Sequence, residues 1–162
     1  MPRWLRIVGV ALVVSAAAAC GGLGGKSPPR DGLEPDTARF TYGEQTVEIP
    51  LEACGQDEDT VLMAGSRGAM VLQVEADVGD DGLARTGVTM DLGAGEIWGA
   101  FGDDMQRPPA GTLHEVRTEG DRLIVDATWA ALDGDLRETP SAQTTEGRLV
   151  ARCPEPDDDD IA

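Results

Sequence analysis

Short runs in which every second residue is apolar recur along this chain, and they constrain its fold more than any other feature. In Met70–Asp77, in Val47–Leu51 and in Leu123–Trp129, apolar residues alternate with polar or small ones. A period of two places one set of side chains on one face of a strand. These three segments therefore predict strands with one buried face.

Further strands are predicted near Val61–Ala64, Thr86–Leu92, Glu96–Phe101, Thr112–Thr118 and Thr144–Arg152. The segments between them are short and rich in Gly, Asp and Ser, which suits hairpin connections. No segment has a long helical period with caps, although Ala130–Leu136 has room for a short helical turn. Many short strands with such connections predict an all-β domain, either an antiparallel β-sandwich or a small barrel.

The amino-terminal segment has the organisation of an export signal. Met1–Arg6 carries two arginines, Ile7–Ala19 is uncharged, and small residues at Ala17–Ala19 lead directly to Cys20. This junction resembles the lipobox of bacterial lipoproteins. The resemblance implies removal of residues 1–19 and attachment of a diacylglycerol to the Cys20 sulfur. An ordinary signal peptide and an uncleaved anchor are the alternatives, and the second is short, since about 20 apolar residues are needed to span a bilayer.

The chain has three cysteines, an odd number for an exported protein. If Cys20 carries the lipid, Cys54 and Cys153 remain as one pair, and disulfides persist in oxidising compartments. Two free, buried thiols are the alternative. We therefore expect a Cys54–Cys153 disulfide.

Composition shifts divide the chain into four parts. We predict a signal peptide over residues 1–19, the lipidated cysteine and a flexible tether over 20–37, the β-domain over 38–153, and an acidic disordered tail over 154–162. The tether is rich in Gly and Pro, and the tail is a run of like charges.

Acidic residues dominate the charge of the chain, with 30 Asp and Glu against 13 Lys and Arg, a formal net charge of −17. Such a chain is repelled by the phosphates of nucleic acids and by anionic lipid. We therefore exclude nucleic acid as a partner.

The residues that carry chemistry form no convincing site. Ser66 lies in a Gly-Ser-Arg-Gly segment that predicts a hairpin turn, without the following helix that a nucleophile elbow requires. His114 is the only histidine, and it falls in a predicted strand. Asp77–Gly82 begins like a calcium loop, but Gly79 replaces a ligand and Val88 stands where the bidentate glutamate belongs. We predict no catalytic residues, no metal and no cofactor.

Six features of the chain occur in a characteristic order: the lipobox, the tether, a strand ending at Cys54, a Gly-rich β region over Thr86–Phe101, a hairpin over Glu119–Thr128 and a last strand ending at Cys153. This layout resembles the mycobacterial nineteen-kilodalton lipoprotein antigen family. The resemblance implies a cell-envelope surface antigen without established catalysis. This chain departs from the family pattern in its strong acidity and its Asp tail.

Three functions are open at this stage. The first is a lipid-anchored domain on the extracytoplasmic face of the cell membrane, held through acylated Cys20, that acts by display or by binding an envelope protein or glycolipid. The second is a carrier of a small or lipidic ligand between sheets. The third is a serine hydrolase using Ser66 and His114. For the carrier, the residues predicted to line a cavity are Met90, Trp98, Phe101 and Trp129.

Overall fold

The structure is a computed structural model that describes residues 32–57, 59–105, 110–138 and 142–153. All of the regular structure in these ranges is β-strand. The strands are β1 (Thr37–Tyr42), β2 (Gln45–Gln56), β3 (Thr60–Arg67), β4 (Met70–Asp77), β5 (Gly87–Asp91), β6 (Ile97–Phe101), β7 (Thr112–Glu119), β8 (Arg122–Leu132) and β9 (Thr144–Arg152).

The strands form a closed antiparallel barrel of eight strands with one additional strand. Strands β1 to β6 pair in sequence order, β1 also pairs with β9, and β9 pairs with β8. Pairing of β6 with β8 closes the ring. Strand β7 pairs with β8 outside this ring of eight. An eight-stranded barrel has an interior just wide enough to be filled by side chains.

Strand β8 changes its partner part of the way along its length. Its first part, up to Thr128, pairs with β7, whereas Ala130–Leu132 pairs with β6 on the same edge. Gly111 lies at this change of partner, with a φ of 62°, and a Cβ there would be 2.5 Å from the Thr128 carbonyl oxygen. A glycine is therefore required for β6 and β7 to approach β8 together.

Apolar side chains from the strands pack inside the barrel. The Trp129 ring meets Phe40 edge to face at 4.9 Å between centroids, and Phe40 stacks on Tyr42 at 5.1 Å. These geometries are the ones that aromatic quadrupoles favour. Fully buried aliphatic side chains complete this core: Ile49, Val61, Leu72, Val88, Leu123, Val125 and Leu149.

A disulfide between Cys54 and Cys153, whose Cα atoms are 5.7 Å apart, lies at one end of the barrel. We call it the disulfide end. Leu33 is buried there, and its carbonyl accepts a hydrogen bond from the Arg152 guanidinium at 3.2 Å. The opposite end, which we call the Tyr42 end, carries the Tyr42 and Trp98 rings at 5.8 Å. The packed part of the chain thus reaches back to Leu33, before the predicted start of the domain at residue 38.

The predicted all-β fold and the Cys54–Cys153 disulfide are confirmed, and of the two predicted architectures the barrel is the one observed. Two local predictions were wrong. Ser66 belongs to β3 rather than to the turn, which lies at Gly68 and Ala69, where Gly68 has a φ of 65°. Strand β8 continues through Leu132, so no helical turn begins at Ala130.

The predictions for the signal peptide, Cys20 and the acidic tail concern residues outside the described ranges. In the portion that is described, no helix is long and apolar enough to cross a membrane.

Candidate functional site

The pairing register brings together an outer face with very few charges. Because inward and outward side chains alternate along each strand, the outward residues form lateral rows across the barrel wall. We call three adjacent rows the low-charge face. They are Gly55, Leu62, Glu75, Gly87 and Phe101; then Ala53, Ala64, Gln73, Thr89, Gly99 and Ala130; then Ser66, Val71, Asp91, Ile97 and Leu132.

Glu75 and Asp91 are the only charged residues of this face. The opposite wall, formed by β1, β7, β9 and the first part of β8, is instead covered by ion pairs. There Asp126 accepts two hydrogen bonds from Arg148, at 2.6 and 2.9 Å, and Arg117 pairs with Glu115 and Glu119. The difference between the two walls is large for a chain this rich in charge, and it marks the low-charge face as the candidate binding surface.

Leu62 is the most prominent feature of the low-charge face, with 53% of its surface exposed. A cavity of about 170 Å³ lies on one side of it, above Gln73, Glu75 and Thr89. A broader open depression lies on its other side, lined by Ala53, Gly55 and Ala64 among others. Val71, 40% exposed, lies on β4 two rows away from Leu62. The small residues beside Leu62 leave depressions that side chains of a partner can fill.

Phe101 forms a wall at one edge of the face. Gly87 and Gly99 leave room for its ring, since a Cβ at either position would come within 3.2 Å of it. Met105 and Leu132 pack in the same region, in a small apolar cluster outside the barrel. This cluster buries the β6 side of the face and leaves the part around Leu62 exposed.

Three carboxylates lie on or beside the low-charge face, Glu75 in the row of Leu62, Asp91 in the row of Val71, and Glu52 on β2. Glu52, at a β-bulge in β2, accepts a hydrogen bond from the Ser66 hydroxyl, and Asp91 accepts one from the Gly93 amide. Glu75 is exposed on β4. Within the described ranges none of the three forms an ion pair, and Arg67, at the end of β3, donates to the Glu48 carbonyl instead.

The four residues predicted to line a ligand cavity do not share one space. Met90, Trp98 and Trp129 point inward and belong to the main core. Phe101 lies three positions after Trp98, so the alternation of a strand directs it outward, where it borders the low-charge face. A carrier cavity lined by all four is therefore not the arrangement observed.

The structure does not bring Ser66 and His114 together. Strands β3 and β8 lie on opposite sides of the ring, and His114 belongs to β7, which pairs with β8. Its Nε2 lies 2.8 Å from the Thr128 hydroxyl and 3.5 Å from Glu146, at a bulge of β7. The Ser66 hydroxyl has a carboxylate as its partner, so the geometry required for a Ser-His pair is not present.

The acidic turns are satisfied by the protein itself. Asp77 accepts a hydrogen bond from the Gly79 amide and pairs with Arg85 at 3.2 Å. Asp133 accepts the amides of Asp135 and Arg137, an Asx-type turn. In the described ranges no group of three or more His, Cys, Asp and Glu side chains is placed to hold a metal ion.

Sequence reasoning did not find Leu62 or Val71 as candidate binding residues. The signal was present, because Leu62 lies between Val61 and Met63, and alternation leaves one of three consecutive apolar residues facing outward. An aliphatic residue at such a position is either an isolated surface residue or part of a patch, and only the register distinguishes them.

No protein-family model matches this chain, and a search of curated proteins finds no significant match.

Proposed function

We propose that this protein is a lipid-anchored component of the cell envelope, on the extracytoplasmic face of the membrane, that acts by display or binding through its low-charge face. The Cys54–Cys153 disulfide is the observation that carries the proposal, because such bonds persist in oxidising compartments. It also leaves Cys20 as the remaining cysteine, in the lipobox-like segment.

The geometry of the barrel suits attachment from its disulfide end. Leu33, near the start of the described residues, is held there by Arg152. A lipid on Cys20 would tether this end and leave the Tyr42 end directed away from the membrane. The low-charge face lies on the side wall between the two ends, so it would remain accessible to a partner in the envelope.

The resemblance to the mycobacterial nineteen-kilodalton lipoprotein antigen family supports the same proposal. The implied layout, with a first cysteine at the end of one strand and a second after the last strand, agrees with the positions of Cys54 in β2 and Cys153 after β9. Members of that family are cell-envelope lipoproteins known as surface antigens, and we extend this location to the chain as a proposal.

Fractionation of cells that express the full-length protein tests the anchor. We expect wild-type protein in the membrane fraction, with mass spectrometry showing a diacylglycerol-modified Cys20. Replacement Cys20→Ser should yield an unprocessed precursor or soluble protein. Two acyl chains or more are needed for stable attachment, since each buried methylene contributes only about 0.8 kcal/mol.

The double variant Cys54→Ser/Cys153→Ser is the matched control. It removes the two disulfide-bonded cysteines but keeps Cys20, so the protein should remain in the membrane fraction. An unmodified Cys20 in mature wild-type protein would overturn the proposal.

A further inference from the structure

The relief around Leu62 indicates what kind of side chains a partner presents. One depression beside Leu62 is lined by Gly55, Ala53 and Ala64, and the depression on its other side lies above Gly87 and Thr89. An exposed leucine between two depressions can interdigitate with two apolar side chains, burying area that the folded chain leaves in water. The partner therefore presents apolar groups at two nearby positions.

The charges on and beside the low-charge face indicate the rest of the partner's chemistry. Glu52, Glu75 and Asp91 have no cationic partner in the described part of the chain, whereas acidic groups on the opposite wall, such as Asp126 and Asp121, are paired with arginines. The whole chain adds a formal net charge of −17. Such a field attracts cations and repels anions, and complementary charges improve both steering and specificity.

We infer that the low-charge face docks a basic protein segment, whose apolar side chains pack on both sides of Leu62 and whose Lys or Arg side chains reach Glu52, Glu75 and Asp91. The inference rests on the proposed function, of which it names the partner class. Apolar contact supplies the area, and the three carboxylates select a cationic partner over a neutral one.

Two other occupants fit the same surface less well. A second copy of the chain would place its own three carboxylates and its own negative charge against this face, and like charges brought together in an interface oppose association. A lipid acyl chain would use the apolar relief but gain nothing from the carboxylates. Charge dependence therefore separates the inference from both.

The test is peptide binding to the full-length protein in neutral detergent micelles, measured by fluorescence anisotropy at low and at physiological salt. The probe is a labelled, extended peptide in which pairs of lysines alternate with pairs of valines, so that each face of the peptide carries both residue types. Its partner probe replaces each lysine by glutamate. We expect saturable binding of the lysine peptide that weakens with salt, and no binding of the glutamate peptide.

Substitutions on the face provide the decisive comparison. Leu62→Asp adds a negative charge, which by itself would strengthen attraction of a cationic peptide, so weaker binding by about tenfold would identify an apolar contact. Glu75→Lys should weaken binding at least as much. Thr46→Asp, which adds the same charge at an exposed position of β2 beside β1, is the matched control and should leave affinity unchanged. Circular dichroism of each variant confirms that the barrel is folded.

Several outcomes would overturn the inference. These are no saturable binding of the lysine peptide, equal affinity of Leu62→Asp and wild type, and equal weakening by Thr46→Asp. Binding of a neutral apolar peptide that Glu75→Lys leaves intact would favour an acyl-like ligand, and a dimer in sedimentation that Leu62→Asp dissociates would favour a second copy. The assay does not depend on acylation of Cys20, so failure of the anchor and failure of this inference are distinguishable.

Discussion

The Trp129 indole lies directly against Gly147 of the neighbouring strand: a Cβ at residue 147 would be 2.8 Å from the Trp129 Nε1 atom and 2.1 Å from the Thr41 carbonyl oxygen. Trp129 is fully buried, and its Nε1 has no hydrogen-bond acceptor within the described part of the chain. The indole is therefore held by packing, and the absence of a side chain at residue 147 creates the space for it.

Gly147→Ala should for this reason destabilise the barrel. Even the smallest side chain would push β9 away from β1 and displace the indole, an overpacking cost of about 2–3 kcal/mol. Denaturant unfolding measures the loss. Gly55→Ala is the matched control in a strand, because a Cβ at residue 55 meets nothing within 4 Å, and its effect should stay within about 0.5 kcal/mol. Equal effects of both substitutions would contradict this account of the packing.

Removal of the Cys54–Cys153 disulfide should lower the free energy of unfolding by up to about 4–5 kcal/mol, because the bond closes a loop across a sequence separation of 99 residues. Denaturant unfolding with and without a reductant measures the change. Cys20→Ser should leave the oxidised stability unaltered, since Cys20 is not one of the bonded cysteines. Alkylation of Cys54 and Cys153 in unreduced, unfolded protein would contradict the bond.

Most of the fold could be predicted from period-two patterns, and the exception is informative. No strand was predicted over Thr37–Tyr42, although Ala38, Phe40 and Tyr42 alternate with polar residues and all three are buried in β1. This strand directly follows a segment with the composition of a tether. Its place between β2 and β9 depends on pairing with residues far along the chain, which local pattern does not show.

The candidate site could not be predicted in the same way. Ala53, Ala64 and Thr89 are unremarkable in sequence, and they become one surface only because the register places them in a row. The direction of Phe101 is different, since its odd spacing from Trp98 already places the two on opposite faces of β6. Alternation determines which face a residue occupies, whereas strand order determines its neighbours.

Asp126→Asn should weaken the barrel on its charged wall. Hydrogen bonding to Asp126 raises the pKa of Arg148, with the carboxylate charge as a further cause, so this pair favours the charged form of Arg148. The pair is partly exposed, which limits the loss to about 0.5–1 kcal/mol. Glu75→Gln, on a carboxylate without an ion pair, is the control and should cost less. If Asp126→Asn left the free energy of unfolding unchanged, or lowered it by an amount insensitive to salt, a stabilising Asp126–Arg148 ion pair would be contradicted.

Tyr42 offers a pH-dependent test of the Tyr42 end, because it is the only tyrosine of the chain. Burial raises the pKa of its phenol above the ordinary value of 10.0, and the negative charge of Glu96 raises it further. The hydroxyl donates to Gln45 Oε1 at 3.0 Å. The absorbance of tyrosinate in an alkaline titration reports this single group, and we expect its midpoint above that of free tyrosine.

The stability consequence has a definite sign. A folded-state pKa above the unfolded value means that the native protein holds the phenolic proton more tightly, so the stabilisation is complete below pH 10 and is lost as the pH rises through the folded pKa. Tyr42→Phe should remove this part of the alkaline loss.

Glu96→Gln, which keeps an acceptor for the Trp98 indole, should lower the Tyr42 pKa part of the way. Glu44→Gln, in the adjacent turn, should leave the Tyr42 pKa unchanged. A Tyr42 titration midpoint equal to that of the unfolded chain, or one that Glu44→Gln and Glu96→Gln shift equally, would show that the ring is not held beside Glu96 as described.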